Sequence, residues 1–420
     1  MVFIRKTLPF LLFAFALSIL ARWPQLSQVS VDPIVDATTT VCTIHQHWET
    51  EKLNTLNCLP VVFLPQETPL HGEKMNNGII TDDAGNGIYI AHPPFSYYAP
   101  YAIFKLLSVS SGLFPLRVFH LFLHFISGLF VYLIVSLLSF KRGRSMLHFP
   151  SFVAYLIYIF LPSTLWFQGI VYTPDTAYMT LFVIGVYTVL KLIIRDKFTH
   201  PKYLFFYTLT LLLMTYTSWL GYFFGGGVLV YSLLHLQHNR RHIPLILLTL
   251  ISFLIAFRMT VWQYAQPAGY LTLAQEWLNL YWTQGSVSGQ RENLFVFIFS
   301  YFLWLKHILY NYIIYYFPLY LGGLYGIWIA VTRKKLRIVF SDNAFRFIWL
   351  SVTPVILMHI FLMAYSAHAF TILYGALFFS VVSGILYDKM KRSGVLTPAG
   401  LNKGVLSLLI LFILLFQILH

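Results

Sequence analysis

The residues of this chain that offer chemistry are carboxylates and cations at the ends of long apolar segments. Asp32 and Asp36 follow the first apolar segment closely, and Asp175 begins a later one within VYTPDTAY. A carboxylate in such a place can take a proton from a nucleophile or orient it. An aspartate at the start of a helix also caps its first turn. Both roles stay open for Asp36 and Asp175, and Asp32 is the close alternative to Asp36.

Five basic side chains lie in comparable places and are candidates for binding a phosphate group. His92 stands in HPP, where two prolines fix the path of the chain. Arg117 begins one long apolar segment and Arg258 lies inside another, where a charge is costly unless it faces a cavity or a partner. Arg117 has the alternative of extending toward lipid headgroups. Arg291 lies between two apolar segments, and His368 precedes one.

The composition places these residues in an integral membrane protein of the α-helical class. Hydrophobic residues make up 58% of the 420 residues, charged residues make up 10%, and the mean hydropathy is +0.71. A soluble domain carries about 25% charged residues. The apolar runs are long and continuous, unlike the alternating strands of an outer-membrane barrel. We expect about 11 spans, near residues 7–23, 115–139, 147–167, 175–194, 203–219, 221–236, 243–262, 310–331, 346–364, 370–388 and 404–419.

The net charge of +14 follows the positive-inside rule, because lysines and arginines collect in the short segments on one side of these spans. We therefore expect no nucleic-acid partner. Two long segments, 24–114 and 263–309, fall on the opposite, outer side, and loops of this length usually carry function. The chain then divides into a transmembrane core over 1–262 that includes the first long loop (24–114), a second long loop (263–309), and C-terminal spans over 310–420.

The first long loop contains two predicted helices that would lie at the membrane interface. Residues 36–54 have an apolar stripe that includes Trp48, with polar residues between its members. Residues 95–110 are rich in tyrosine and phenylalanine, which suit the headgroup zone. Residues 65–87 are rich in glycine, asparagine and aspartate, and this composition predicts a mobile loop.

Both cysteines, Cys42 and Cys58, lie in the first long loop. A loop on the exoplasmic side faces an oxidising compartment, so a disulfide between them is one interpretation and two free thiols are the other. The spacing of histidines and acidic residues matches no metal motif such as HExxH. Soluble nucleotide-sugar enzymes hold a metal-bound diphosphate with an Asp-x-Asp motif, which is absent here. We therefore expect no metal and no other cofactor.

The order of these features resembles the GT-C glycosyltransferases, which include the protein mannosyltransferases and the aminoarabinose transferases of lipid A. In those relatives an acidic residue precedes the first surface helix, a His/Lys-Pro-Pro precedes the second, an arginine begins the next span, and an aspartate follows a short outer turn. The matching residues are Asp36, His92, Arg117 and Asp175. Relatives often carry a second acidic residue after the first one, whereas this chain has Ala37.

This resemblance implies an all-α polytopic membrane protein of GT-C architecture. It further implies that a sugar moves from a polyprenyl- or dolichyl-phosphate carrier to a protein, glycan or lipid acceptor on the exoplasmic face. Asp36 would be the base of an inverting displacement, and Asp175 would position the acceptor or hold a cation. The basic residues, among them His92 and Arg258, would neutralise the departing phosphate. The resemblance is most specific over 30–195.

Three other functions remain as alternatives. A transporter or flippase of lipid-linked or small substrates usually has pseudo-repeated halves, and no repeat is visible in this chain. An O-antigen ligase or polymerase would carry its long outer loop late in the chain, whereas the dominant loop here comes first. A scaffold protein without activity is the third. The chain has no Asn-x-Ser/Thr sequon, which agrees with a bacterial host and a location in its inner membrane.

Overall fold

The computed structural model describes residues 2–27, 33–67, 78–139, 148–237, 239–285, 294–332, 341–394 and 397–420. The helices are α1 (Val2–Ala21), α2 (Trp23–Ser27), α3 (Pro33–Thr50), α4 (Phe95–Leu106), α5 (Leu113–Ser139), α6 (Phe149–Phe160), α7 (Pro162–Phe167), α8 (Pro174–Ile194), α9 (Pro201–Thr215), α10 (Leu220–Leu236), α11 (Ile243–Gly285), α12 (Leu294–Thr332), α13 (Asp342–Phe361), α14 (Met363–Ser366), α15 (Gly375–Arg392) and α16 (Pro398–Leu419). Short 3-10 turns cover Arg240–His242 and Ala369–Tyr374, and the strands are β1 (Val61–Phe63), β2 (Ile79–Thr81) and β3 (Gly87–Tyr89).

Many of these helices are apolar enough to lie within a membrane. Across the described residues, six helical segments have the length and hydropathy to cross it, namely Leu113–Ser139, Pro174–Ile194, Arg240–Trp282, Asp342–Phe361, Ala369–Arg392 and Ala399–Leu419. Shorter apolar helices cover Lys6–Ala21, Phe149–Phe160 and Leu220–Leu236. The protein is therefore an integral membrane protein, and the predicted polytopic α-helical class is confirmed.

Two segments differ from the expected division into spans and loops. The span expected over 147–167 is interrupted, because α6 ends at Phe160 and α7 begins at Pro162, a residue that has no N–H to continue the helical ladder. The second long loop is helical at both ends. There α11 continues to Gly285 across a break at Gly269, and α12 begins at Leu294. The extension of α11 packs against the first long loop, because Tyr264 and Trp277 donate to the His92 and Ile90 carbonyls. This packing accounts for the helical order of the extension.

The first long loop also contains a three-stranded antiparallel sheet in the order β1-β3-β2. Strands β2 and β3 form a hairpin whose turn is fixed by Asp82, since its Oδ1 accepts from the backbone N–H groups of Ala84 and Asn86 at 3.0 and 2.8 Å. The mobile loop expected over 65–87 is therefore ordered hairpin from residue 78 onward. Residues 68–77 lie outside the described part of the chain.

Helix α3 confirms the first predicted interfacial helix, but its polar face is covered as well. Trp48 is buried, and its indole N–H donates to the Leu59 carbonyl at 2.7 Å. His45 and His47 are only 1% and 5% exposed. His45 Nε2 donates to the Tyr97 carbonyl of α4 at 2.9 Å, and the His47 ring bonds the Val61 carbonyl of β1 at 2.8 Å. Because α3 is enclosed on two sides, its buried polar groups need hydrogen-bond partners.

Cys42 and Cys58 are free thiols, so the disulfide considered from the sequence is not formed in the structure. Cys42 is buried in the middle of α3. Cys58 is half-buried and lies just before β1.

In the membrane region, α5, α6, α8 and α15 pack closely around a shared core. Small residues allow these helices to approach each other. A Cβ placed on Gly384 of α15 would lie 2.7 Å from the Pro150 carbonyl oxygen and 2.9 Å from the Ala154 Cβ of α6. Gly226 of α10, by contrast, has no atom within 4 Å of such a Cβ.

We predict that Gly384→Ala destabilises the folded protein by about 1–3 kcal/mol, because the new methyl group overpacks the contact between α15 and α6. Gly226→Ala is the matched control and should be neutral or stabilising by up to about 1 kcal/mol, since alanine has the higher helix propensity. Thermal unfolding of both variants in the same detergent measures the difference. Equal melting temperatures for the two variants would contradict the packing described here.

Candidate active site

Asp175 is held at the start of α8 by the local sequence. Thr173 caps this helix, with its hydroxyl accepting from the Thr176 N–H at 3.1 Å, while the Thr176 hydroxyl accepts from the Thr173 N–H at 2.8 Å. Pro174 occupies the first turn, where its missing N–H costs nothing. Asp175 follows, and it is only 2% exposed. The helix start therefore carries a buried carboxylate in a fixed place.

Three hydroxyl groups converge on Asp175 from distant parts of the chain. Ser218, between α9 and α10, donates to Oδ1 at 2.8 Å. Tyr365, on α14, donates to Oδ2. Tyr374, at the end of the 3-10 turn, donates to the main-chain carbonyl of Asp175 at 3.3 Å. Both carboxylate oxygens of Asp175 thus have hydrogen-bond partners, as a buried polar group requires.

His92 faces this carboxylate, and its backbone is anchored more firmly than its ring. Its carbonyl accepts from the Tyr264 hydroxyl at 2.7 Å, and the preceding Ala91 carbonyl accepts from the Trp219 indole at 2.7 Å. The ring Nε2 lies 3.7 Å from Asp175 Oδ2, which is longer than a hydrogen bond. Nδ1 is buried and has no hydrogen-bond partner within the described part of the chain.

His368 lies at the edge of the same cluster. It precedes the 3-10 turn, and its ring centroid is 5.9 Å from that of Tyr365. The ring also stacks on Phe370 at a centroid distance of 5.5 Å. His368 is exposed, so it is accessible on the rim, whereas His92 and Asp175 form the interior of the cluster.

Two of the three arginine candidates, Arg117 and Arg258, lie in the described part of the chain. Arg117 is 2% exposed, and it donates to the carbonyls of Leu26 at 2.7 Å and Ile170 at 3.3 Å. These bonds join the end of α2 to the segment that leads to Asp175. Arg258 is exposed on α11. Arg291 lies outside the described residues.

Of the remaining acidic candidates, Asp32 lies outside the described residues, and Asp36 is described only by its place in the first turn of α3. Two residues further along the helix, the Thr38 hydroxyl accepts from the Tyr172 N–H at 3.0 Å. Tyr172 stands three positions before Asp175. The structure therefore brings the backbone of the first turns of α3 close to the segment that begins α8.

Several residues of the cluster were not anticipated from the sequence, among them Ser218, Tyr264, Tyr365 and Tyr374. The chain has 28 tyrosines, and their spacing does not distinguish these three. Arg22 was also missed, although it stands just past the first apolar helix. It is fully buried, and its Nη1 lies 3.1 Å from Nδ1 of the buried His124.

The described residues contain no group of three or more histidines, cysteines and acidic residues placed to hold a metal ion. The chemistry that these side chains can perform themselves is proton transfer, binding of an anion by histidine, and orientation of a hydroxyl group. All three depend on how the outer layer, formed by α3, α4 and the sheet, is joined to the membrane helices. Tyr264 and Trp219 hold the backbone at His92, and the bond from Tyr172 to Thr38 holds α3.

We predict that the outer layer loses stability in acid through His45. Burial lowers the pKa of His45 from 6.5 to about 4, against the opposing effects of the Tyr97 carbonyl and Glu49. Between these pH values the unfolded chain binds a proton that the folded chain excludes. The unfolding equilibrium constant should therefore rise by up to about tenfold for each pH unit that the pH is lowered.

The measurement is the melting temperature from pH 7 to pH 4 for the wild type and for His45→Gln, which keeps an N–H donor but does not titrate. The variant should lose less stability in acid. His200→Gln is the control, because His200 is exposed at the start of α9. The same acid dependence in all three proteins would show that His45 is not the responsible group.

No protein-family model matches the chain, and no curated protein matches it in sequence. Its fold does match solved structures. ArnT from Cupriavidus metallidurans bound to undecaprenyl phosphate aligns with a TM-score of 0.56 at 14% identity, over 96% of this chain and 63% of that one. The oligosaccharyltransferase AglB from Archaeoglobus fulgidus, in complex with an inhibitory peptide and a dolichol-phosphate, aligns with a TM-score of 0.57 at 14% identity. That alignment covers 97% of this chain and 55% of AglB.

This chain thus spans less than two thirds of the length of either protein, and at this identity the likeness concerns the fold. Both matches run over nearly the whole chain. Both proteins are GT-C glycosyltransferases. The GT-C architecture predicted from the sequence is confirmed, and the chain has the fold of these membrane enzymes.

Proposed function

We propose that this protein is a membrane glycosyltransferase that moves a sugar from a polyprenyl- or dolichyl-phosphate carrier to an acceptor on the exoplasmic face. The observation that carries the proposal is that the backbone at His92 is anchored while its ring Nδ1 has no hydrogen-bond partner in the described residues. Three successive carbonyls, of Ile90, Ala91 and His92, are anchored by Trp277, Trp219 and Tyr264. The ring they position has a buried Nδ1 without a hydrogen-bond partner in the described residues. A histidine held in this way is suited to binding a ligand anion.

The leaving group of the proposed reaction is the carrier phosphate, and His92 would bind it. The Asp175 carboxylate lies 3.7 Å from His92 Nε2, on the side of the ring opposite to the unpartnered Nδ1. The protonated ring would donate from Nδ1 to a phosphate oxygen and offset the charge that develops as the bond to the sugar breaks. His368 on the rim would contribute a second contact. Roles for Arg117, Arg258 and Arg291 stay predictions.

The acceptor needs a base, and Asp36 remains our candidate, with Asp32 as the alternative. Asp175 is less suited to this task, because both of its carboxylate oxygens already accept hydrogen bonds from hydroxyl groups. In the displacement, an acceptor atom attacks the anomeric carbon and its proton passes to Asp36. The bond from that carbon to the phosphate oxygen breaks, which gives inversion and free polyprenyl phosphate.

The lipid part of the carrier needs an apolar path that ends at this cluster. A narrow cleft lined only by apolar surface lies between α8, α10 and α13, with Tyr178, Phe182 and Met358 in its wall. Tyr374 also lines the cleft and donates to Asp175. The cleft has room for only about one water molecule, so α8, α10 and α13 would have to separate to admit a prenyl chain. The ArnT and AglB structures hold undecaprenyl phosphate and dolichol-phosphate, which supports this class of donor.

The acceptor class and the cellular location are part of the proposal. We propose the inner membrane of a bacterium as the location and a protein, glycan or lipid as the acceptor. The first long loop would face the exoplasm, because the short segments on the opposite side collect the lysines and arginines.

We predict that Asp36→Asn abolishes sugar transfer while the protein still folds. The loss should be about 100-fold or more, as expected for removal of a general base. The assay is release of polyprenyl phosphate from a panel of polyprenyl-phosphate sugars, in membranes with matched amounts of protein and with candidate acceptors. Asp196→Asn is the control, because Asp196 is exposed and pairs with Arg241, and such surface pairs contribute little.

Equal release by the wild type and Asp36→Asn would move the assignment of the base to Asp32 or Asp175. If a folded wild-type protein binds the carriers but releases nothing with any donor and acceptor, the transporter or flippase alternative would replace the enzyme.

A second prediction concerns binding of the carrier phosphate. His92→Gln should raise the Kd for undecaprenyl phosphate about tenfold or more, because a charge-assisted hydrogen bond is lost. His92→Lys should keep most of the affinity, since it retains a cation. Binding is measured in detergent or nanodiscs, and His200→Gln serves as the control. Unchanged affinity in His92→Gln would remove His92 from the phosphate site.

A further inference from the structure

The contact between His92 and Asp175 has an unusual length. A histidine beside a carboxylate normally closes to a charge-assisted hydrogen bond of about 2.7–2.9 Å. Here His92 Nε2 stands 3.7 Å from Asp175 Oδ2. The same oxygen accepts a hydrogen bond from the Tyr365 hydroxyl. One carboxylate oxygen thus has two neighbours, and the tyrosine makes the closer contact.

Tyr365 is well placed to keep this contact. It lies on α14, a helix of four residues between α13 and the 3-10 turn. The segment that follows it is held at two points, by Asn311, which donates to the Ala367 carbonyl at 3.0 Å, and by Tyr316, which donates to the Ile372 carbonyl at 2.6 Å. Desolvation and the charge of Asp175 raise the pKa of Tyr365 well above its usual value. Its hydroxyl therefore remains a donor at every physiological pH.

We infer that Tyr365 is a positioning residue that holds Asp175 Oδ2 and thereby keeps the His92 ring available for an anionic ligand. Without the tyrosine hydroxyl, Oδ2 would be free to bond His92 Nε2 directly. The imidazolium would then be neutralised by Asp175 and fixed in orientation, and the carrier phosphate would gain less from it. The inference rests on the proposed function, in which the anion is the phosphate of a lipid carrier.

The groups around His92 are mostly uncharged. Tyr89 of β3 and Tyr365 of α14 have ring centroids 6.1 and 6.4 Å from that of His92, and Tyr264 of α11 contacts its carbonyl. These are phenols that carry no charge near neutral pH. The ring of His368 lies 5.9 Å from that of Tyr365. Among the described residues, Asp175 is the charged group within 4 Å of the His92 ring.

The experiment is a pH titration of His92 by NMR in the full-length protein, with ¹³C-labelled histidine and with His92→Gln to assign the signal. Tyr365→Phe should raise the pKa of His92 by about one unit, because a direct bond to a carboxylate stabilises the imidazolium. Tyr374→Phe is the matched control. It removes a neighbouring buried hydroxyl that bonds the Asp175 carbonyl, leaves Oδ2 untouched, and should leave the titration of His92 unchanged.

Binding of undecaprenyl phosphate as a function of pH is the second measurement. In Tyr365→Phe we expect affinity to fall about tenfold at pH 6, and the pH at which binding is half lost to move upward by about one unit together with the His92 titration. A purely structural defect would lower affinity at all pH values without moving the titration. Tyr365→Leu, which also lacks the hydroxyl and fits the same space, replaces the phenylalanine variant if that variant does not fold.

An unchanged His92 titration in Tyr365→Phe, or an equal shift in Tyr374→Phe, overturns the inference. If the wild type does not bind undecaprenyl phosphate at any pH, the proposed function fails instead. The NMR titration still decides the role of Tyr365 in that case, because it needs no ligand.

Discussion

A buried carboxylate needs hydrogen-bond donors or a cation to replace its lost hydration. The arrangement of the site follows from the groups that do this for Asp175. An ionised carboxylate left without partners in a protein interior costs several kcal/mol. The partners here are Ser218, Tyr365 and His92. They come from the segment between α9 and α10, from α14, and from the loop between β3 and α4. One charge therefore fixes three segments that are far apart in the sequence at a single point.

That point lies at the boundary between two hydrophobic clusters. One cluster fills the membrane region and includes Tyr178 and Tyr374, whereas the other lies under the outer layer and includes Tyr172 and Tyr264. Asp175 stands between Tyr172 and Tyr178 in the sequence, at the place where the chain passes from one cluster to the other. A polar site is tolerated there because the rigid surroundings on both sides satisfy its hydrogen bonds, as buried polar groups require.

The sequence was sufficient for the features that depend on local patterns. Periodicity located α3, the tyrosine and phenylalanine content located α4, and apolar runs located most membrane helices. The order of His92 and Asp175 along the chain indicated the GT-C fold. It was not sufficient for contacts such as the one between Tyr365 and Asp175, which are 190 positions apart. Nothing local distinguishes that tyrosine from the others. The covered polar face of α3 was missed for the same reason, since burial of His45 depends on α4.

The extended helix α11 links the site to the thickness of the bilayer. From Ile243 to Tyr264 the helix is continuous before its break at Gly269, and 21 residue steps correspond to about 32 Å. This length matches the hydrocarbon core of a typical bilayer, about 30 Å. Tyr264 donates a hydrogen bond to the His92 carbonyl. The length of α11 up to Tyr264 therefore sets the position of His92 along the membrane normal. Hydrophobic mismatch that tilts this helix would thus move the site relative to the lipid headgroups, which makes membrane composition a determinant of the geometry at His92.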